Sequence, residues 1–173
     1  MTGSVRPAHP EDALAVARVH VAVWREVYAG TFPDGYLAAL SVREHERLWR
    51  ERYIRPEAGT VHRVVDLSGR VVGFASGGPA GREVRRAYPA FDRELYALYL
   101  LPEARGRGLG RALLEAVSEA LGGGLGGMMC FVISCNTPAR RFYERLGAVP
   151  VGSSSFRVDG ERVEEVAYGW EAL

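Results

Sequence analysis

The chain has 173 residues, of which 47% are hydrophobic and 25% charged, and its 22 basic residues against 21 acidic ones leave a formal net charge of +1. That size and balance suit one globular domain around a single core, and near-neutral charge gives no bulk reason to expect nucleic acid or membrane as partner. No apolar run approaches the roughly 18 residues of a membrane span, and Met1–Pro7 lacks the apolar centre of a secretory leader, so the expected compartment is the cytoplasm.

Taken in order, Val5-Arg-Pro reads as a short strand, and Pro10-Glu-Asp opens a helix with Leu14, Ala17, Val21 and Trp24 at helical spacing. Gly30 to Gly35 breaks it, and a second helical pattern carries Tyr36, Leu37, Leu40, Leu48 and Trp49. Residues 60–67 and 70–76 flank Ser68-Gly69, a two-residue hairpin signal. Residues 77–93 read as the longest loop, and 94–101 as an apolar strand. Helix 108–121, strand 128–134 and a helix from Asn136-Thr-Pro to Leu146-Gly147 follow. Phe156-Arg-Val and residues 162–168 flank Asp159-Gly160, a second hairpin turn. The order β-α-α-β-β-β-α-β-α-β-β describes a mixed sheet with helices on its faces.

Cys130 and Cys135 sit on one expected strand pointing to opposite faces, which argues against a bridge between them. His9, His20, His45 and His62 show no metal-ligand spacing, and no metal is expected. Every basic residue is arginine, there is no glutamine, and Asn136 is the only asparagine.

The densest signal is Arg105-Gly-Arg-Gly-Leu-Gly-Arg111, a loop joining a strand to a helix. Glycines let backbone N–H groups approach a ligand, and the helix start adds unpaired N–H groups and a positive dipole end. Together they suit a phosphate-bearing ligand. A P-loop needs a lysine, which the chain lacks, and the dinucleotide fingerprint needs a different glycine spacing. One arginine cluster without interleaved aromatics argues against a nucleic-acid groove.

The pattern Arg105-x-x-Gly108-x-Gly110 after a strand ending Leu-Tyr-Leu-Leu-Pro-Glu resembles the signature of the GCN5-related N-acetyltransferases (GNAT). Asn136-x-x-Ala139-x-x-Phe142-Tyr143-x-x-x-Gly147-Ala148 is similar to that superfamily's second block, and Arg6-Pro, Glu11-Asp12 and Trp24-Arg-x-x-Tyr28 are similar to the opening of many bacterial members. The resemblance implies an α/β fold in one domain over residues 1–173. Its centre would be a mixed, mostly antiparallel sheet of about seven strands, splayed between strands 4 and 5, with four helices on its faces.

By the same resemblance, the backbone of Leu98, Tyr99 and Leu100 pairs with the pantetheine arm of acetyl-CoA, and the pyrophosphate lies on Gly106, Arg107, Gly108, Leu109, Gly110 and Arg111. Arg105, Arg107 and Arg111 are candidates for phosphate charge, each also readable as a solvated arginine. Asn136 contacts the cofactor or caps the next helix. Tyr143 matches the general acid, and Glu94 the base that the histone-acetylating branch carries on its central strand. Members acting on ribosomal proteins carry a glutamate where this chain has Phe131. Trp24, Tyr28, Phe32, Tyr36 and Tyr96 are candidate walls for the acceptor. The implied activity is direct acetyl transfer from acetyl-CoA to a primary amine, small-molecule or peptide, in a ternary complex, with neither cysteine as acyl carrier. The alternatives are a non-catalytic acyl-CoA-binding or regulatory module and a nucleotide binder without acyl chemistry. A homodimer through the C-terminal strands is compatible with the family.

Overall fold

Both expected hairpin turns form where the residues permit left-handed backbone. Ser68 and Gly69 have φ of 56° and 82°, and Asp159 and Gly160 have 48° and 87°, the pair of positive values that matches the twist of the flanking strands. In the computed structural model, which describes residues 3–171, these turns organise one sheet. Its strands are β1 (Ser4–Pro7), β2 (Val61–Leu67), β3 (Arg70–Pro79), β4 (Arg93–Leu100), β5 (Met128–Ile133), β6 (Val149–Val158) and β7 (Glu161–Trp170). They lie in the order β1-β2-β3-β4-β5-β7-β6, and every neighbouring pair is antiparallel except β4 with β5.

The helices are α1 (Ala13–Val27), α2 (Asp34–Ala39), α3 (Val42–Ile54), α4 (Arg82–Ala87), α5 (Leu109–Ala120) and α6 (Thr137–Arg145). One face of the sheet is covered by α5 and α6, with Leu113, Leu114, Val117 and Tyr143 packed among Leu95, Cys130, Val132 and Tyr168. On the other face, α1 and α3 bury Val16, Val19, Val23 and Trp49 against Val64 and Phe74. The start of α1 is fixed by Asp12. Its carboxylate accepts the His9 N–H at 2.9 Å and takes both arms of Arg6 at 2.7 and 2.8 Å, which holds its pKa below the usual carboxylate value.

The expected helix around residues 36–49 is two helices. Leu40 leaves helical geometry with ψ of 116°, and the Ser41 hydroxyl then caps α3 by accepting the Glu44 N–H at 3.3 Å. The expected loop 77–93 contains the end of β3 and the exposed helix α4. The division into α2 and α3 and the addition of α4 raise the helices from four to six among the described residues and leave the sheet as expected. β6 begins at Val149, upstream of the expected Phe156.

The feature that shapes the site lies in β4. Against β3, Ala97 pairs with Ser76 and Leu95 with Gly77, so Tyr96 is an extra residue, a β-bulge. Its hydroxyl donates to the Pro79 carbonyl at 2.6 Å. Strict alternation would put Leu95 and Ala97 on one face. Instead Leu95 packs with the α5 core while Ala97 packs with the α1 core, and Leu98 returns to the α5 side. Among the described residues, no helix is long and apolar enough to cross a membrane.

Candidate active site

The parallel ladder between β4 and β5 stops early. It joins Arg93, Glu94 and Leu95 to Met128, Met129 and Cys130 and goes no further. Beyond that point β4 stays paired with β3 through Leu98, Tyr99 and Leu100, while β5 stays paired with β7 through Ile133. The β5-facing edge of β4 is therefore an open row of backbone groups at the rim of a cleft of about 660 Å³. Leu98, Tyr99 and Leu100 line it, opposite Cys135, Asn136, Ala139 and Tyr143, with Glu26 of α1 and Tyr28, the residue that caps its C-terminal end, closing one side.

The glycine loop stands at the mouth. Gly106, Gly108 and Gly110 line the cleft, and Gly106 and Gly108 take φ of 71° and 76°, a region that glycine enters without the strain a Cβ brings. A Cβ on either would meet nothing within 4 Å, so the backbone here faces open space. Gly108 is also the N-cap of α5 and carries no side-chain cap, which leaves the first N–H groups of that helix directed outward. Gly110 has a second duty. A Cβ there would lie 3.1 Å from the Phe142 ring, so its absence lets α6 close against α5.

The arginines divide. Arg105 spends its guanidinium within the protein: Nε donates to the Leu100 carbonyl at 3.0 Å and the two terminal nitrogens grip Glu26 at 2.8 and 2.7 Å. It fastens the loop to β4 and α1. Arg111 lines the cleft and pairs with Glu115 at 2.7 Å. Arg107 is exposed and not part of the cleft wall, and the Leu109 side chain is buried in the α5 core. Either could serve a ligand here through its N–H alone. Sequence reasoning missed Arg145, which reaches the cleft from the last turn of α6. Its signal was the spacing Ala139, Phe142, Arg145 on one helical face.

Asn136 and Tyr143 come together as expected. Asn136 caps α6, with Oδ1 accepting the Ala139 N–H at 3.2 Å, and it lines the cleft. Tyr143 is 7% exposed. Its ring packs edge-on to Phe142 and Trp170, and its hydroxyl has no hydrogen-bond partner among the described residues. Burial, reinforced by Cys130, Tyr99 and Tyr28, raises its pKa well above the ordinary phenol value. It is a buried neutral donor at the cleft wall, with its capacity unspent.

Glu94 stands apart from this wall. It sits on the last stretch of the parallel ladder, paired in register with Met129, and its electrostatic neighbours are Gly81 and Glu165. Alternation from Leu95 puts it on the sheet face opposite α5 and α6. Burial comes first and Glu165 adds to it in raising its pKa. Of the candidate acceptor walls, Tyr28 lines the cleft. Trp24, Phe32 and Tyr36 form an aromatic cluster around it, and Tyr96 is the exposed bulge residue. Cys130 is buried and its thiol pKa is raised, first by burial. Cys135 is exposed just beyond β5, within 3.3 Å of the Thr31 hydroxyl. Among the described residues no group of three His, Cys, Asp or Glu side chains could hold a metal ion.

A splayed parallel pair, a glycine loop at a helix start and a capping asparagine meet in one cleft. The model of the acetyltransferase (GNAT) family matches residues 21–148. The chain belongs to the GNAT acetyltransferases. It is 38% identical over 170 residues to YuaI of Bacillus subtilis (strain 168), described as an uncharacterized N-acetyltransferase, a match covering 98% of this chain and 94% of YuaI. Among solved structures, it resembles the PaiA N-acetyltransferase of Thermoplasma acidophilum in complex with coenzyme A, with a TM-score of 0.70 at 18% identity, covering 98% of this chain and 100% of the other. A GCN5-related N-acetyltransferase from Rhodopseudomonas palustris gives 0.70 at 24% identity, covering 100% and 97%. At those identities the structures speak for the fold, which in this GNAT chain has the interrupted β4–β5 ladder at its centre.

Proposed function

We propose that this GNAT protein transfers an acetyl group from acetyl-CoA to a primary amine by direct attack within a ternary complex. The observation that carries the reading is the unpaired edge of β4, which faces the unpartnered Tyr143 hydroxyl across a cleft closed at its mouth by the glycine loop. When bound, acetyl-CoA supplies the activated acyl group as a thioester. The N–H groups of residues 106–111 would hold its pyrophosphate, and the open backbone of Leu98, Tyr99 and Leu100 would pair with the amides of its pantetheine arm. An N–H from this edge would also stabilise negative charge on the acyl oxygen.

Tyr143 remains protonated at neutral pH because its surroundings are apolar. A phenol raised above about 10 is a weaker acid than a thiol near 8.5. Its contribution is therefore a hydrogen bond that strengthens as charge gathers on the departing sulfur. The thiolate is neutralised through the hydroxyl only as the proton lost from the acceptor nitrogen replaces the phenol's own, so that Tyr143 ends as it began, protonated. The acceptor must arrive neutral. An alkylammonium with pKa of about 10.4 is neutral in only about one part in 2,500 at pH 7, a penalty of roughly 4.6 kcal/mol. Glu94, with its pKa raised toward neutrality, would remove that proton, through water where it does not reach directly. Neither cysteine carries the acetyl group: Cys130 is buried and protonated, and Cys135→Ser should keep full turnover.

Thermal melting with acetyl-CoA, CoA and ATP tests the donor. Stabilisation by both CoA species and not by ATP is expected, whereas stabilisation by ATP alone overturns the reading. Release of CoA thiol with a broad amine panel then separates an enzyme from a protein that only binds acyl-CoA.

A further inference from the structure

Beside the large cleft, past the glycine loop, lies more space. A second cavity of about 190 Å³ lies between α5 and α6, lined by Arg111, Leu114, Glu115, Leu125, Arg145 and Leu146. Arg111 and Arg145 line both spaces and so form the boundary that they share. At roughly 30 Å³ per water, the smaller space holds about six waters, room for a hydrated anion.

We propose that Arg145, with Arg111, binds the 3′-phosphate of the CoA ribose and makes the protein discriminate CoA from 3′-dephospho-CoA. This rests on the CoA reading above and names a selectivity that reading does not require. A phosphomonoester carries close to two negative charges at neutral pH and offers three acceptor oxygens, and a guanidinium fork meets them in pairs. The pyrophosphate can be served by backbone N–H groups, so it leaves these cations available. Arg105 is not available, because Glu26 holds it.

Arg145 is the stronger of the two. Among the described residues its side chain has no hydrogen bond or ion pair, whereas Arg111 is paired with Glu115. The position is built by packing: Phe142, one turn before Arg145 on the same helical face, closes against Gly110 and fixes α6 beside the start of α5. Leu114, Leu125 and Leu146 give the cavity an apolar side suited to the ribose and base. Glu115 opposes the phosphate, both by repulsion and by engaging Arg111.

Calorimetric titration of CoA and 3′-dephospho-CoA into the wild-type protein and into Arg145→Ala, Arg145→Glu and Glu115→Gln tests the proposal. Wild type should bind CoA about tenfold more tightly than the dephospho form, the scale of one charge-assisted contact. Arg145→Ala should bring the ratio to within about threefold of unity, Arg145→Glu should abolish or invert it, and Glu115→Gln should raise it by about twofold. Arg145 is solvent-exposed, so ligand-free melting should be unchanged in both Arg145 variants. Equal affinities in the wild type, or a ratio that survives both Arg145 substitutions, overturns the subsite and leaves the CoA reading standing. Failure of both ligands to bind removes the two together.

Discussion

The two edges of β4 have the same residues and opposite duties. Toward β3 the ladder runs from Arg93 to Leu100 and absorbs Tyr96 as a bulge; toward β5 it ends at Leu95. The closed edge holds the sheet together, and the open edge offers backbone groups to a ligand. The difference teaches that cofactor affinity and stability are separable along a single strand, because each hydrogen-bonding side has its own partners.

Substitutions can break or sharpen that separation. The largest expected effect belongs to the open side: Tyr143→Phe should lower kcat by about 100-fold or more with CoA affinity in calorimetry unchanged, and an unaltered rate would remove the hydroxyl from the reaction. Next comes the closed side. Leu95 is 3% exposed in the α5 core, and Leu95→Ala should cost about 2–5 kcal/mol. At roughly 2–4 °C per kcal/mol, the melting point falls while the folded fraction binds CoA as before. Asp12→Ala strips an anchor far from both edges and should cost about 2 kcal/mol at pH 7. Because Asp12 has a lowered folded pKa, that stability is present above the unfolded value near 3.9 and disappears as pH falls through the folded value. Melting curves of the two proteins should therefore converge in acid.

Glu94 has the opposite sign. Its folded pKa is raised, so the carboxyl favours the fold most below the unfolded value near 4.3 and loses that contribution as pH rises through the folded value. Glu94→Gln should melt slightly higher than wild type at pH 7 and lose the acid limb of the pH–rate profile. A variant that keeps the limb would relocate the base. The smallest effect is expected at Glu26→Gln. The exposed pair with Arg105 is worth at most about 1 kcal/mol, and CoA affinity should change by less than about threefold if Arg105 fastens the loop and leaves the phosphates to the backbone.

Much of this was legible in the residues. Ser68-Gly69 and Asp159-Gly160 declared their turns because few other pairs accept positive φ. The glycine loop could be placed because it directly follows an apolar strand, whereas Asn136 and Tyr143 were placed by their resemblance to the second GNAT motif. Other parts left weaker marks. Leu40 continues the apolar rhythm of its neighbours, and only the Ser41 cap divides α2 from α3. In α4 no residue is buried, so no periodic apolar face distinguished it from a loop, and β6 is solvent-exposed along nearly all its length. The commitment of Arg105 to Glu26 joins residues 79 positions apart, a relation that no local pattern carries. Arg145 was masked by Phe142 and Tyr143, whose larger side chains dominate the same helix.

The bulge at Tyr96 acts as a phase shift. A strand is a two-beat repeat, and one surplus residue moves everything downstream by half a period. Deleting Tyr96 would leave the faces of residues 97–100 as they are, whereas pairing it into the β3 ladder as an ordinary strand residue would turn them over, sending the Tyr99 ring toward α5 and the Leu98 side chain toward α1. No side chain of the cleft would have been altered, yet its wall would present the wrong face. The binding surface is thus encoded as much by the parity of the chain as by its chemistry: a one-residue insertion or deletion within residues 97–100 should turn over the wall beyond it, while loss of the bulge residue itself should not.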